Sequence, residues 1–487
     1  MFASTLSATM VGAEPHPVRV EAHIGGPKDR FCVVGLPDTA VREARDRVKA
    51  ALTSSGFGLP VRQVTVNLGP ADLPKGGSGF DLPIALGVLA ATGDIPASGA
   101  RLVAVGELAL DGTVRPTRGA LAAAIVAERM GVPCLVPTAD APVATLVSGA
   151  DVRPVGSLAE AVEVVTGRGP VAAIVPNAPA AVDPADLADV RGQLLARRAL
   201  EIAAAGAHHL VMVGPPGVGK TMLARRLPSI LPPPSPAEVV ELGCIWSAAD
   251  LPPPTSRPFR SPHHTASTAA VVGGGTGHPT PGELSLAHLG ILFLDELGEF
   301  PPHLLNALRQ PLEEGSVVIA RQGRTLRFPC RVQLVAATNP CPCGYEGDGR
   351  IPCRCTPATL ERHRRRLSGP LLDRFDLWIR LTRPDPSEVL GPPGEPSASV
   401  AERVLVARRR QEERGTTNHL LTRRALDRMP TAPSARAMIA DASERRQLSA
   451  RAIERVRRVS RTIADLAGSD TVDEPHVAEA FAYRGSW

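Results

Sequence analysis

Short apolar runs alternate with stretches of helical period between residues 18 and 170. VRVEAHI, FCVVGL, VTVNLG and LVAVGELAL read as strands. TAVREARDRVKAALTSSG, DLPIALGVLAATG and ALAAAIVAERMG read as helices. The alternation predicts a compact α/β domain over residues 1–170. Residues 171–188, VAAIVPNAPAAVDPADLA, are rich in Ala and Pro and predict a linker. A second α/β unit is expected over 189–381, with strands HLVMVG, GILFLDE and VQLVAATN. TRPDPSEVLGPPGEPSASV, at 382–400, reads as another Pro-rich connection, and 401–487 as a helical domain. Neither short repeats nor coiled-coil heptads appear.

Composition narrows this picture. A chain of 487 residues accommodates two to four domains. With 44% hydrophobic and 21% charged residues it falls among soluble globular proteins, and with only 3% aromatics its cores must be aliphatic. Apolar runs stay shorter than a membrane span, and the first residues lack the basic start and long apolar stretch of a secretion signal. The eight cysteines are few for this length, and half are clustered, unlike a secreted disulfide framework. A reducing cytoplasm is the expectation.

Charge is uneven. Residues 1–180 carry 15 Lys/Arg against 16 Asp/Glu, and residues 401–487 carry 17 against 12. A polyanion would be drawn to the C-terminal part, although a solvated Arg-rich helical surface reads the same. Lysine occurs only at positions 28, 49, 75 and 220. In a chain that otherwise uses Arg, a lysine marks a place suited to a compact ammonium, which directs attention to Lys220.

HLVMVGPPGVGKTMLARRL carries the strongest chemical signal. An apolar strand runs into Gly214-Pro215-Pro216-Gly217-Val218-Gly219-Lys220-Thr221, and an apolar-periodic helix follows. This is G-x-x-x-x-G-K-T between a strand and a helix, the arrangement that cradles a nucleotide's phosphates. Backbone amides and the helix N-terminus would wrap the phosphates, Lys220 would reach the β- and γ-phosphates, and Thr221 would offer its hydroxyl to Mg2+. Downstream, GILFLDEL ends a buried strand in two carboxylates. Asp295 would hold Mg2+ through its water shell, and Glu296 would polarise the attacking water. VQLVAATNP brings Asn339 to a third strand tip, where it could orient that water or simply cap the next turn.

These residues, together with FRSPHHTASTAAVVGGG, PGELSLAHLGILFLDELGEFPPHLLNALRQPLEEG, FPCRVQLVAATNPCPCG, SGPLLDRFDLWIRL, NLGPADLPKGGSGFDLPIALGVLAA and SARAIERVRRVSRTIADLAGS, resemble the ComM/YifB family of Mg-chelatase-like AAA+ ATPases. The resemblance covers nearly the whole chain. It implies a Lon-protease-like N-terminal domain, an AAA+ P-loop core with a parallel sheet, and a helical C-terminal lid. It further implies a homo-hexameric ring that hydrolyses ATP with Mg2+, and a branch-migration helicase acting on DNA in natural transformation. By the same resemblance Asn339 is sensor 1, Arg374 the arginine finger entering a neighbouring subunit's site, and Arg451 sensor 2. An ordinary ion pair is the alternative for Arg374. SVVIARQGRTLRF, at 316–328, reads as two short strands around a Gln-Gly turn and matches the clade's pore hairpin. Arg321 and Arg324 at its tip are the candidates for DNA-backbone contacts. A chaperone-like motor acting on a protein partner is the competing reading, and a peptidase-fold scaffold that mainly binds partners is a third.

A Lon-type fold raises proteolysis. PKGGSGFD (74–81) and TRGALAAA (117–124) stand where the Ser–Lys dyad would be. Ser78 lies near the Ser position, but Leu121 or a neighbouring Ala replaces the Lys, so Ser78 lacks a base. A protease is therefore not expected; Lys75 is a candidate contact to a partner or DNA. His263 and His264, being adjacent, suit a structural or ring-contact role better than a metal.

Cys341, Cys343, Cys353 and Cys355 form C-x-C…C-x-C within the loop 341–355, among Gly344, Gly347 and Gly349. Four thiolates so placed suit tetrahedral Zn2+, as a structural clip on the path from Asn339 to Arg374. C-x-C is tighter than the usual C-x-x-C, and four reduced thiols or a redox-labile loop remain the alternative.

Overall fold

The computed structural model describes residues 1–27, 30–35, 39–73, 75–96, 101–169, 173–174, 185–275, 279–321, 324–367 and 371–485. Two compact units divide the chain. The first is Met1–Ala180 with Ser235–Thr255 and Ala320–Phe328, and the second is Ala181–Pro234, Ser256–Ile319 and Pro329–Trp487. The expected second unit at 189–381 is thus not contiguous.

In the first unit strict alternation builds the sheet. Val18, Val20, Ala22 and Ile24 are buried, while Arg19 and His23 are exposed on the opposite face. The strands are β1 (Phe2–Val11), β2 (Glu14–Gly25), β3 (Phe31–Val34), β4 (Gln63–Gly69), β5 (Val103–Ala104), β6 (Cys134–Pro137) and β7 (Val152–Val155). They lie in the order β3-β4-β2-β1-β5-β6-β7, mixing antiparallel and parallel pairs. The helices Thr39–Ser54 and Asp81–Thr92 share one apolar cluster with β2 and β4, and the helix Ala120–Met130 fills a second with β6. The helix Pro236–Ser247 joins that second cluster through Cys244 and the half-buried Val240, which is why residues 235–255 belong to this unit. LVAVGELAL, expected as one strand, breaks into Val103–Ala104 and Glu107–Leu108. Gly106 lies between them, packed so closely that a Cβ there would come within 2.8 Å of Val114.

The second unit is built on β8 (Leu210–Val213), β9 (Phe259–Arg260), β10 (Ile291–Leu294), β11 (Gln333–Thr338) and β12 (Leu377–Arg380). Their spatial order is β9-β10-β11-β8-β12, and every neighbouring pair is parallel. Strands buried on both faces read as continuous apolar runs, and β8, β10 and β11 are buried along their whole length. The C-terminal helices Ser397–Glu413, Ala450–Leu466 and Glu474–Ala482 share one core with this sheet and with the helix Leu194–Gly206. The residues expected to form a separate helical domain thus share their described core with the sheet.

Both expected linkers are bonded where they are described. Leu187 is buried, and its amide donates to Ser397 Oγ at 2.7 Å. The Ser397 amide donates to Asp186 at 3.0 Å, Gly394 N to Ala188 O at 2.9 Å, and Arg197 to the Glu395 carbonyl at 2.6 Å. Pro and Gly mark the bends of these stretches; the capping bonds that dock them come from residues about 200 positions apart, which composition does not reveal.

A buried polar network ties the amino edge of the second sheet to the C-terminal helices. Asp376 Oδ2 accepts from the His209 amide at 3.1 Å and meets His419 Nδ1 at 2.7 Å, while His208 Nε2 pairs with Thr462 Oγ1 at 2.7 Å. His208, Asp376 and His419 place ligand atoms within 4.8 Å of one another, yet hydrogen bonds already engage these side chains. Burial alone would raise Asp376, but His419 and the hydrogen bond to His208 hold it well below the carboxylate range. Burial keeps His208 and His209 below the ordinary imidazole range. All three pKa values are lower in the folded chain than in the unfolded one. Their stabilising effect is therefore complete above the unfolded values, about 6.5 for His and about 3.9 for Asp, and is lost as pH falls toward the folded ones. Acidification from pH 7.5 to 5.5 will lower the thermal midpoint followed by circular dichroism. Asp376→Asn will cost about 3 kcal/mol at pH 7.5, seen as an earlier urea transition, because it leaves the network's donors unmatched.

Candidate active site

At the carboxyl end of β8 the chain turns at Gly214, where a Cβ would lie 2.8 Å from the Leu381 carbonyl oxygen. Gly217 and Gly219 take φ of +80° and +92°, the left-handed region that glycine enters at little cost. The loop then enters the helix Lys220–Arg226 with its amides at the helix N-terminus, a geometry that attracts anions.

Three strand ends converge here. Lys220 Nζ donates to Gly214 O at 2.6 Å, Pro215 O at 2.9 Å and Asn339 Oδ1 at 3.0 Å. Thr221 Oγ1 donates to Asp295 Oδ2 at 2.7 Å, and Asp295 Oδ1 accepts from the Glu296 amide at 3.0 Å. Asp295 follows β10 and Asn339 follows β11, which lies between β10 and β8 in the sheet. Lys220, Thr221, Asp295 and Asn339 are thus gathered at one sheet edge. The set fits a magnesium nucleotide: loop amides and an ammonium for phosphate oxygens, and hydroxyl and carboxylate oxygens for a hard cation. Burial draws Lys220 down to about 8, against the pull of the Asp295 and Glu296 carboxylates.

Glu296 stands beside this group with φ of +52°, a left-handed conformation costly for a residue with a Cβ. His264 Nδ1 lies 3.4 Å from Glu296 Oε2, and the His263 ring packs on His264 with centroids 4.1 Å apart. With 32 positions between the two residues, this contact has no local pattern, and only the paired histidines of SPHHTAS mark the place in the sequence.

The remaining candidates lie elsewhere. Arg374 precedes β12, at the amino edge of the sheet, and pairs with Glu313. Its guanidinium is mostly buried and within electrostatic reach of Arg309 and Arg451. Arg451 is exposed near the start of the Ala450–Leu466 helix. The hairpin forms as Ser316–Arg321 and Arg324–Pro329, but the Gln322–Gly323 turn and the side chains of Arg321 and Arg324 lie outside the described residues. Lys75 is 1% exposed and bonded to the Pro70 carbonyl, so it is not the surface contact expected of it; a buried ammonium needs such an acceptor. Ser78 donates to the Glu107 carboxylate, and Leu121 is buried in its helix.

Cys341, Cys343, Cys353 and Cys355 place their sulfurs within 4.8 Å of one another, an arrangement that could hold a metal ion. Amides of Tyr345 and Arg354 draw the Cys343 thiol down to about 6. Among the described residues, no helix is long and apolar enough to cross a membrane.

Three family models match in succession. Subunit ChlI of Mg-chelatase matches residues 20–140; magnesium chelatase, subunit ChlI, matches 186–389; and its C-terminal model matches 394–484. Competence protein ComM of Haemophilus influenzae is 43% identical over 499 residues, covering 99% of this chain and 97% of its own. The chain belongs to the ComM/YifB family. YifB of Escherichia coli is 42% identical over 487 residues, covering 97% of this chain and 95% of its own. Lon protease 2 of Bacillus subtilis is 32% identical over 148 residues, covering 28% of this chain and 27% of its own. Membership of this Mg-chelatase-like family supports an AAA+ ATPase using nucleotide and Mg2+.

The lowered Lys220 value has a measurable consequence. Above pH 8 the free protein loses the ammonium that attracts phosphate. Fluorescent ATP-analogue affinity should therefore weaken about tenfold from pH 7 to pH 9. Lys220→Arg, charged throughout, will bind weakly at both pH values without that slope.

Proposed function

We propose that this chain is the subunit of a ring-forming ATPase that moves along DNA and drives branch migration of recombination intermediates. The observation that carries the ATPase part of this reading is the joining of Lys220 to Asn339 and Thr221 to Asp295 at one edge of an all-parallel sheet, and the DNA part rests on the family resemblance. In that reading the loop Gly214–Thr221 holds the triphosphate, with Lys220 against its terminal oxygens. Thr221 and Asp295 hold Mg2+, which would neutralise charge on the β- and γ-oxygens. Glu296 orients and polarises water, steadied by His264, and Asn339 positions that water beside the γ-phosphate.

Arg374 acts on a neighbour. It sits before β12, whereas the phosphate loop follows the parallel β8. Four residues of strand separate the two edges by about 13 Å, beyond the reach of one arginine side chain. A second copy arranged head to tail would bring Arg374 to a foreign phosphate loop, which supports a homo-hexameric ring with Arg451 as a second contact. Arg321 and Arg324 would grip the DNA backbone without reading sequence. The first unit is a Lon-like domain that does not cleave peptides: Ser78 is bonded to Glu107, and Lys75 to the Pro70 carbonyl. The C-terminal helices serve as the lid. Eight free thiols suit a reducing cytoplasm.

The Mg-chelatase models favour a second reading, a motor that remodels a protein partner. A labelled four-way DNA junction with ATP and Mg2+ separates the two. Conversion to two-stranded products that fails with Lys220→Ala is the expected result. ATP turnover with the junction neither bound nor moved would replace the DNA reading with the protein one. Arg374→Ala should lower kcat by at least about a hundredfold with little change in nucleotide affinity. Mixing it with Lys220→Ala should restore part of the turnover, since mixed neighbours rebuild complete sites.

A further inference from the structure

Residues 339–356 join β11 to the helix Pro357–Leu367 without helix or strand. A connection of that length inside a compact unit needs something to hold its shape. It has little apolar material of its own: Ile351 is 39% exposed. Ion pairs tie it outward, from Glu346 to Arg364 at 2.6 Å, Asp348 to Arg383 at 2.8 Å and Asp385 to Arg350 at 3.0 Å. The Arg350 pair, exposed on both sides, contributes little, whereas Asp348, its side chain buried, anchors one side of the loop.

The sulfurs lie at the centre of the loop. Cys341 Sγ is 3.3 Å from Cys343 Sγ and 3.7 Å from Cys353 Sγ, and Cys343 and Cys353 are 3.5 Å apart. A disulfide would need about 2.05 Å. Four sulfurs at about 2.3 Å from a central zinc ion stand about 3.8 Å apart, close to what is found. Gly344, Gly347 and Gly349, at φ of +86°, +74° and +72°, fold the chain back so that the second C-x-C meets the first.

The loop also touches the nucleotide machinery. Cys341 lies two residues beyond Asn339. A Cβ on Gly344 would lie 2.8 Å from Pro216 Cδ, so the backbone already abuts the phosphate loop. His363, within the helix Pro357–Leu367 that follows the loop, meets the Asn339 carbonyl at 3.1 Å. We propose that Cys341, Cys343, Cys353 and Cys355 bind one zinc ion as thiolates, and that this ion positions Asn339 and so governs the rate of ATP hydrolysis more than nucleotide affinity. The second half rests on the ATPase reading above. Binding would release to solvent the protons of those cysteines still in the thiol form, leaving four thiolates on the metal. Thiolate sulfur selects zinc over the Mg2+ of the neighbouring site.

The test uses the full chain purified without added zinc. Elemental analysis and mercurial-triggered zinc release read occupancy, and the same preparation stripped with a chelator is titrated with ZnCl2. We expect one zinc per chain, near-complete loss in a Cys343→Ser/Cys353→Ser variant, and restoration in the stripped wild type. Stripped protein should keep its fluorescent-nucleotide Kd within about twofold while kcat falls at least about tenfold, recovering with zinc. Because the stripped wild type carries no substitution, a misfolded variant does not decide the matter. Absence of zinc together with no uptake, or disulfides found under non-reducing conditions, would overturn the site. Unchanged kcat in stripped protein would overturn its coupling to Asn339. If zinc binds stoichiometrically and no ATP is hydrolysed by any preparation, the ATPase reading and the coupling fail while the metal site stands.

Discussion

An ammonium half withdrawn from water must find acceptors, and the arrangement of the second unit follows from how Lys220 finds its own. Two acceptors are carbonyls of the loop it closes, and the third is Asn339, 119 positions away. For that third bond to form, β8 and β11 must be adjacent, parallel and in register, as the pairing of Val213 with Thr338 ensures. The same register sets Asp295, at the end of the next strand, beside Thr221. A lysine pulled down to about 8 responds strongly to nearby negative charge, which makes the edge a sensitive receiver for phosphate.

The opposite edge does different work. There a carboxylate, Asp376, is buried among His208, His209 and His419 and locks the sheet to the C-terminal helices. Chemistry and cohesion are thus separated by the length of a strand. Substitutions among the carboxyl-edge residues Lys220, Thr221, Asp295 and Asn339 alter turnover, whereas those within the Asp376 network alter stability.

Much of the nucleotide edge was legible because its residues are punctuated by strand ends. Gly219-Lys220-Thr221, Asp295 and Asn339 each close an apolar run, and parallel topology places such ends together. The cysteines were legible through their crowding. What escaped reading depends on long-range partners with no local pattern. His264 meets Glu296 through a loop, Arg374 meets Glu313 across 61 positions, and Asp186 meets Ser397 across 211. Lys75 misled because a lone lysine looks solvent-exposed in sequence, and only the Pro70 carbonyl shows why it is buried. The domain limits escaped for a related reason: the helix Pro236–Ser247 buries four consecutive residues, Leu242 to Ile245, rather than a periodic stripe, and nothing local says against which sheet they pack.

That helix imposes an order on synthesis. The first unit draws on residues up to Thr255 and again on Ala320–Phe328. A ribosome that has emitted the sheet β1–β7 has not yet supplied the side chains that complete the apolar cluster around Leu121 and Val136. The phosphate loop of the other unit is thus made before Val240 and Cys244, the last pieces of that cluster. Neither unit is one continuous segment that can be cut from the chain.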